Sequence, residues 1–153
     1  MEKKDLSILF ERIKLYAANI GIKVVASENN EYYYNPDESL ISIPLDDLTN
    51  LHKLSICFHE SGHASDAILK RNIKNYDFEE LIAECTAFYL LLQLGEANFV
   101  SKLKNISYLS VYMKSLVEKD KKYSVTTILN KVLQFVNPAM TLVLERGGFI
   151  NVR

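Results

Sequence analysis

The stretch ICFHESGHASD, residues 56–66, contains two of the three histidines of the chain. His59 and His63 are four positions apart, and Glu60 directly follows the first of them. Apolar residues recur at helical spacing from Leu51 to Leu69 without a proline, so we predict a helix here. Positions i and i+4 of a helix lie one turn apart on the same face. The two imidazoles can therefore converge on one ion.

The His-Glu-x-x-His spacing is typical of zinc metallopeptidases. Glu60 is rotated by about 100° from His59 around the helix axis. It borders the histidine face without competing for the metal, and it can reach a water at an open coordination position. Glu60 is therefore the candidate general base. A helix that carries two structural histidines remains the alternative, and a third ligand is needed to decide between them.

A candidate third ligand lies in the segment FEELIAECTAFYLLL, residues 78–92. Glu84 lies in the middle of this segment, among residues too apolar to face solvent on all sides. A buried carboxylate is costly unless it is paired, so we predict that Glu84 binds the metal. Glu80, one turn earlier, is predicted to accept a hydrogen bond from the free ring nitrogen of a ligand histidine. First-turn charges that complement the helix dipole remain the alternative for Glu79 and Glu80.

Four other side chains are weaker candidates. His52 would lie more than about 10 Å from an ion bound by the motif, so we expect a surface histidine. Asp66 can orient a motif histidine or serve as the third ligand itself. Tyr76 and Tyr108 are candidate donors to a developing oxyanion, although their spacing alone does not select them.

The order of the predicted elements indicates an α+β fold. The chain has 153 residues and 48% hydrophobic content, which fits a single domain over residues 1–153. An amphipathic helix comes first, then strand-like runs in IKVVAS, EYYY and SLISIP. Helices follow near residues 51–69, 78–94, 107–118 and 125–146. We therefore predict a small, mostly antiparallel sheet and a helical majority.

Charge and composition limit the partners. The net charge of −1 gives no global field that attracts nucleic acid or a membrane. No apolar run approaches the roughly 18 residues of a membrane span, and the N-terminus lacks a signal core. We expect a cytoplasmic protein that acts on a peptide or protein and does not bind nucleic acid by itself. Cys57 and Cys85 are too few for a disulfide framework and are expected to be buried thiols.

Three segments together resemble one family. YYYNPDESLISIPLDDL, FHESGHASD and YDFEELIAECTAFYLLLQLG are similar to the metallopeptidase domain of ArdC-type antirestriction proteins and of related polyvalent proteins from phages and conjugative plasmids. The resemblance covers about residues 32–95. It implies a zincin-like, gluzincin-type fold in a protein encoded by a mobile element. It also implies Zn²⁺ held by His59, His63 and Glu84, with Glu60 as the catalytic base.

The chain also resembles a second peptidase family, and it differs from the ArdC-type pattern in two respects. Glu84 and Phe88 have the spacing of a ligand glutamate and phenylalanine in ImmA/IrrE-type peptidases of mobile elements. Ser61 replaces the apolar residue that usually follows the motif glutamate. The resemblance also implies a strand hairpin in this region, and about thirty residues precede it, which leaves no room for the single-stranded-DNA-binding domain of ArdC-type proteins. DNA binding and antirestriction activity are therefore not implied.

The sequence thus predicts a zinc-dependent metallopeptidase. The metal and Glu60 would activate a water that attacks the peptide carbonyl, and Glu60 would pass the proton to the leaving amine. Two alternatives remain open: a non-catalytic interaction module on the same scaffold, and a zinc hydrolase of a non-peptide substrate. A long groove beside the motif helix would favour a peptide, whereas a small closed pocket would favour the last alternative.

Overall fold

The computed structural model describes residues 3–27, 29, 31–43, 51–71, 73–95, 105–120 and 124–149. Within these ranges the elements are α1 (Lys3–Asn19), β1 (Lys23–Ala26), β2 (Tyr33–Asn35), β3 (Leu40–Ile43), α2 (Leu51–Ile68), α3 (Tyr76–Gln93), α4 (Asn105–Lys119) and α5 (Val125–Arg146). The predicted α+β class, with its small sheet and helical majority, is confirmed. Helices α2 to α5 begin and end within two residues of their predicted bounds.

The three strands form a mixed sheet in the order β1-β3-β2. Strands β2 and β3 form the predicted antiparallel hairpin, with Tyr34 opposite Ile41. Strand β1 pairs with β3 in parallel, so the prediction of a mostly antiparallel sheet is wrong for this pair. Ile41 and Ile43 of β3 are fully buried. This burial is consistent with the central position of β3, between two neighbouring strands. This order leaves β2 at an edge of the sheet.

Helix α3 begins two residues earlier than predicted, at Tyr76. Asn75 precedes it and accepts a hydrogen bond from the backbone N–H of Phe78 at 3.1 Å, which is a standard N-cap. The early start puts Glu80 in the second turn of α3 and not in its first. Glu80 therefore comes from a part of the helix that packs against a neighbour.

Helices α2 and α3 approach closely at Gly62. A Cβ added to Gly62 would lie 3.0 Å from the Cα of Ala83 and 3.4 Å from its Cβ. Glycine inside a helix costs about 1 kcal/mol relative to alanine, and the close contact explains why it is present here. The contact brings the histidine face of α2 against the glutamate face of α3.

The opposite side of α2 is held by α1. The hydroxyl of Tyr16, which is fully buried, lies 2.7 Å from Ser65 Oγ and donates to the carbonyl of Ser61 at 3.0 Å. Ser61 in turn donates to the carbonyl of Cys57 at 2.7 Å. The serine that replaces the usual apolar residue is therefore buried with its hydroxyl bonded, as a polar group in a core requires.

Two hydrophobic clusters surround the α2–α3 pair. One joins α1, the sheet, α2, α3 and the C-terminal part of α5 and includes Phe10 and Phe58. The other joins α3, α4 and α5 through residues such as Leu81 and Val132. Cys57 and Cys85 are free and buried, as predicted. Over the described residues, no helix combines the length and the apolar character needed to cross a bilayer.

Candidate metal centre

The two motif histidines face each other across one turn of α2. Their Nε2 atoms are 3.0 Å apart. Their rings lie edge to face, with centroids 4.7 Å apart. The helical repeat alone produces this geometry, because residues i and i+4 share a face. The structure thus brings His59 and His63 together as the motif predicted.

Glu80 reaches both of these nitrogen atoms from α3. Its carboxylate oxygens lie 3.5 Å from His59 Nε2 and 3.3 Å from His63 Nε2. One donor atom from each of His59, His63 and Glu80 lies within 4.8 Å of the others. Among the described residues, these three side chains form a cluster that could hold one cation.

Glu84 contacts the other side of the His59 ring. Its Oε1 lies 3.1 Å from His59 Nδ1, but the contact is not well aligned for a hydrogen bond. Over the described residues, His59 Nδ1 and Glu84 Oε2 are buried without a hydrogen-bond partner. Glu84 can therefore fix the orientation of the His59 ring when Nδ1 is protonated and its N–H points at the carboxylate.

The two glutamates face different ring nitrogens, which bears on the roles that the sequence predicted for them. The sequence assigned metal binding to Glu84 because of its apolar surroundings, and the outer position to Glu80. In the structure Glu80 faces the paired Nε2 atoms and Glu84 faces Nδ1. Burial could not separate them, because the side chains are 15% and 11% exposed, respectively. Ligation by Glu84 stays a prediction that this arrangement of donor atoms does not favour.

The residues present fit a divalent transition metal. A tetrahedral ion about 2.0–2.1 Å from two nitrogens separates them by about 3.3 Å, close to the observed distance. Two imidazoles and one carboxylate form a donor set of catalytic zinc sites. Burial lowers the pKa of His59, but the nearby carboxylates of Glu80 and Glu84 outweigh this effect and raise the pKa to about 10. The site therefore attracts positive charge.

Glu60 lies beside this cluster and is also buried. Burial raises the pKa of its carboxyl group, whereas the charges of His59 and His63 and a hydrogen bond with the backbone of Tyr34 act in the opposite direction. Tyr34 of strand β2 and Glu60 line the same cleft, beside the histidine pair. Its predicted role as general base stays a prediction.

A cleft of about 440 Å³ opens over these residues. Strand β2 and the turn after it line one side, and α2 and α3 line the other. Tyr76 lies at the rim and is 67% exposed, and the charge of Glu80, followed by partial burial, raises its pKa. The side chain of Tyr108 lies outside the described part of the structure. His52 is exposed, as predicted.

Asp66 and Arg71 are two lining residues with no place in the metal centre. Asp66 is 2% exposed and lies 3.3 Å from Arg71 Nη1. The spacing of Asp66 from the motif marked it as a candidate ligand, and the structure directs it to an arginine instead. Arg71 was missed, because nothing in its local sequence shows that the loop folds back over the cleft.

The described geometry combines an α+β fold with a His-His-Glu cluster in an open cleft. No family model matches the chain, and no curated protein matches it. The fold is similar to that of the antirestriction protein ArdC from plasmid R388. The match to its Mn(II)-bound crystal structure has a TM-score of 0.63 at 22% identity, covering 99% of this chain and 55% of that chain.

The metal-free ArdC crystal structure gives a TM-score of 0.58 at 23% identity, covering 91% of this chain and 51% of that chain. The predicted resemblance to ArdC is therefore confirmed for the fold. The chain spans about half the length of the ArdC chain.

Proposed function

We propose that the protein is a metal-dependent peptidase, with zinc as its metal. The observation that carries the proposal is the cluster of His59, His63 and Glu80 with the buried carboxylate of Glu60 beside it. ArdC of plasmid R388, which shares the fold, has been crystallised with Mn(II). That likeness supports a metal site in this chain, and it supports an origin in a plasmid or other mobile element.

We assign one role to each residue of the centre. His59, His63 and Glu80 would hold the metal, and Glu84 would fix the ring of His59 through Nδ1. When bound, the metal would polarise the substrate carbonyl and make a water more acidic. Glu60 accepts the proton of the attacking water and transfers it to the leaving amine. Tyr76 is the described candidate for donating an O–H to the developing oxyanion.

The shape of the cleft supports a peptide as the substrate. It is open and lies along β2, an edge strand of the sheet. An extended peptide can pair with the main chain of an exposed edge strand. A small closed pocket, which would suit a non-peptide substrate, does not match this lining. Tyr34 of this strand lines the same cleft as Glu60, so the strand lies next to the proposed base.

Replacement of Glu60 by glutamine tests the proposal. Glu60→Gln removes the proton acceptor but not a proposed ligand, so we expect metal content near that of the wild type and peptide cleavage reduced at least about a hundredfold. Cleavage is measured by mass spectrometry on a peptide mixture from digested cell proteins. Glu145→Gln, the same change at an exposed position of α5, is the matched control. Full cleavage by Glu60→Gln would refute the role of the base.

The wild type provides the second comparison. If the metal-loaded wild type cleaves no peptide in the mixture and no added protein, the non-catalytic interaction module becomes the better account of the same scaffold. Metal binding by this inactive protein would then be structural.

A further inference from the structure

The cleft extends past the metal centre toward the C-terminal end of α2. Asp66 and Ala67 come about one turn after His63, and the loop that follows α2 contributes Arg71 and Ile73. Among the described residues that line the cleft, Arg71 is the only lysine or arginine. It has no contact with the His-His-Glu cluster that would explain its presence there.

Arg71 is held in place by three contacts. Its Nη1 donates to the carbonyl of Phe135 at 2.6 Å and to Asp66 Oδ1 at 3.3 Å. Its guanidinium carbon lies 4.9 Å from the centroid of the Phe135 ring, which is a cation–π distance. A guanidinium that is fixed before a ligand arrives loses little entropy on binding.

The guanidinium keeps donors for a ligand. Arginine has five N–H donors, and both bonds described for Arg71 come from Nη1. The donors on Nε and Nη2 are thus available within the described part of the chain. The side chain of Arg71 is 16% exposed and that of Asp66 only 4%. Both side chains line the cleft, and the arginine is the more exposed of the two.

We propose that Arg71 is a carboxylate-binding group at the α2 end of the cleft, which selects peptides with a carboxylate close to the scissile bond. The planar fork of a guanidinium matches the two oxygens of a carboxylate, and such charge-assisted pairs are among the strongest hydrogen bonds in proteins. The carboxylate comes from an acidic side chain or from the free C-terminus of the peptide. This inference rests on the proposed peptidase function.

Two other readings of the same residues make different predictions. If Arg71 only ties the loop to α5, its removal lowers stability and leaves ligand preference unchanged. If the acidic residues Glu79 and Glu80 dominate the cleft, a cationic ligand is preferred over an acidic one. A change at Asp66 also separates these readings. The buried charge of Asp66 opposes a second carboxylate at Arg71, so its removal should strengthen carboxylate binding only if Arg71 is the binding group.

The experiment uses peptide-like hydroxamates, which bind the metal directly and require no cleavage. Three compounds differ only at the residue next to the hydroxamate, which is aspartate, asparagine or lysine, and all carry a C-terminal amide. A fourth compound has the asparagine and a free C-terminal carboxylate. Affinities for the zinc-loaded full chain are measured by isothermal titration calorimetry. The aspartate and asparagine compounds are nearly isosteric, so their ratio isolates the charge.

We expect at least one carboxylate compound to bind about tenfold or more tightly than the asparagine amide. The compound that gains identifies the source as an acidic side chain or a chain terminus. Arg71→Gln should reduce this ratio to about one, while the affinity for the asparagine amide stays within about twofold. Lys70→Gln is the matched control, because it removes an exposed cation from the neighbouring position. It should preserve the ratio.

Asp66→Asn supplies a test that loss of folding cannot imitate. It keeps an oxygen acceptor for Arg71 and removes the opposing charge, so the preference for a carboxylate should rise about threefold or more. A ratio near one in the wild type, a preference for lysine, or an unchanged ratio in Arg71→Gln would overturn the inference while metal binding persists. If no hydroxamate binds and no metal is retained, the metal centre fails, and the inference falls with it.

Discussion

Helices α2 and α3 supply the metal centre in different ways. On α2, the helical repeat alone brings His59 Nε2 within 3.0 Å of His63 Nε2. On α3, Glu80 and Glu84 also share one face, but the atoms that each carboxylate touches depend on how α3 packs against α2 at Gly62. A motif on one helix therefore predicts a pair of ligands, whereas the third ligand is determined by a contact between helices.

Loss of a motif histidine should have the largest effect. His63→Ala removes one of the two nitrogens that α2 supplies, so we expect metal affinity to fall by about a thousandfold or more, beyond the loss typical of an outer position. The measurement is a competition titration against a chelator of known affinity. His52→Ala, at an exposed position of the same helix, should bind metal like the wild type. Equal affinity in both variants would remove the α2 pair from the site.

The two glutamates of α3 should differ from each other. Glu80→Gln removes a proposed ligand, and we expect a loss of more than about a hundredfold in metal affinity. Glu84→Gln removes only the partner of His59 Nδ1, and we expect a loss of about tenfold to a hundredfold. The same chelator competition measures both variants, which serve as controls for one another. A larger loss in Glu84→Gln than in Glu80→Gln would reverse the assignment.

The packing between the helices should have the smallest of these effects. In Gly62→Ala, the new Cβ would lie 3.0 Å from the Cα of Ala83, so the helices must move apart by a few tenths of an ångström. We expect metal affinity to fall about threefold to tenfold. The gain of about 1 kcal/mol in helix propensity offsets part of the packing cost, which typically lies at about 1–3 kcal/mol. Thermal unfolding of the metal-free protein measures the net change in stability. Unchanged metal affinity would show that the close approach does not set the site.

The sequence predicted the parts of the fold that depend on local periodicity. The helices, the hairpin and the pairing of His59 with His63 follow from spacing along one segment and are confirmed. The parallel pairing of β1 with β3 was missed, because the sequence of a strand does not show which neighbouring strand it pairs with or in which direction. For a related reason the sequence did not show which of Glu80 and Glu84 faces the paired Nε2 atoms, since both carboxylates share a helix face and both are largely buried.

The ion pair of Asp66 and Arg71 could not be predicted from the sequence. Arg71 reaches Asp66 and the carbonyl of Phe135 only because the loop after α2 folds against α5. Phe135 is 64 positions away in the chain, and a single sequence carries no signal for such a contact. The end of the cleft next to Arg71, which we propose selects substrates, can therefore be recognised only from the structure.

The most direct measurement is a crystal structure of the protein soaked with Zn²⁺ or Mn²⁺, with the metal located by anomalous scattering. We predict one ion bound by His59 Nε2, His63 Nε2 and a carboxylate oxygen of Glu80, with Glu84 hydrogen-bonded to His59 Nδ1. An ion bound by Glu84 while Glu80 lies outside the coordination sphere would contradict the account. An ion bound away from both histidines would contradict it as well.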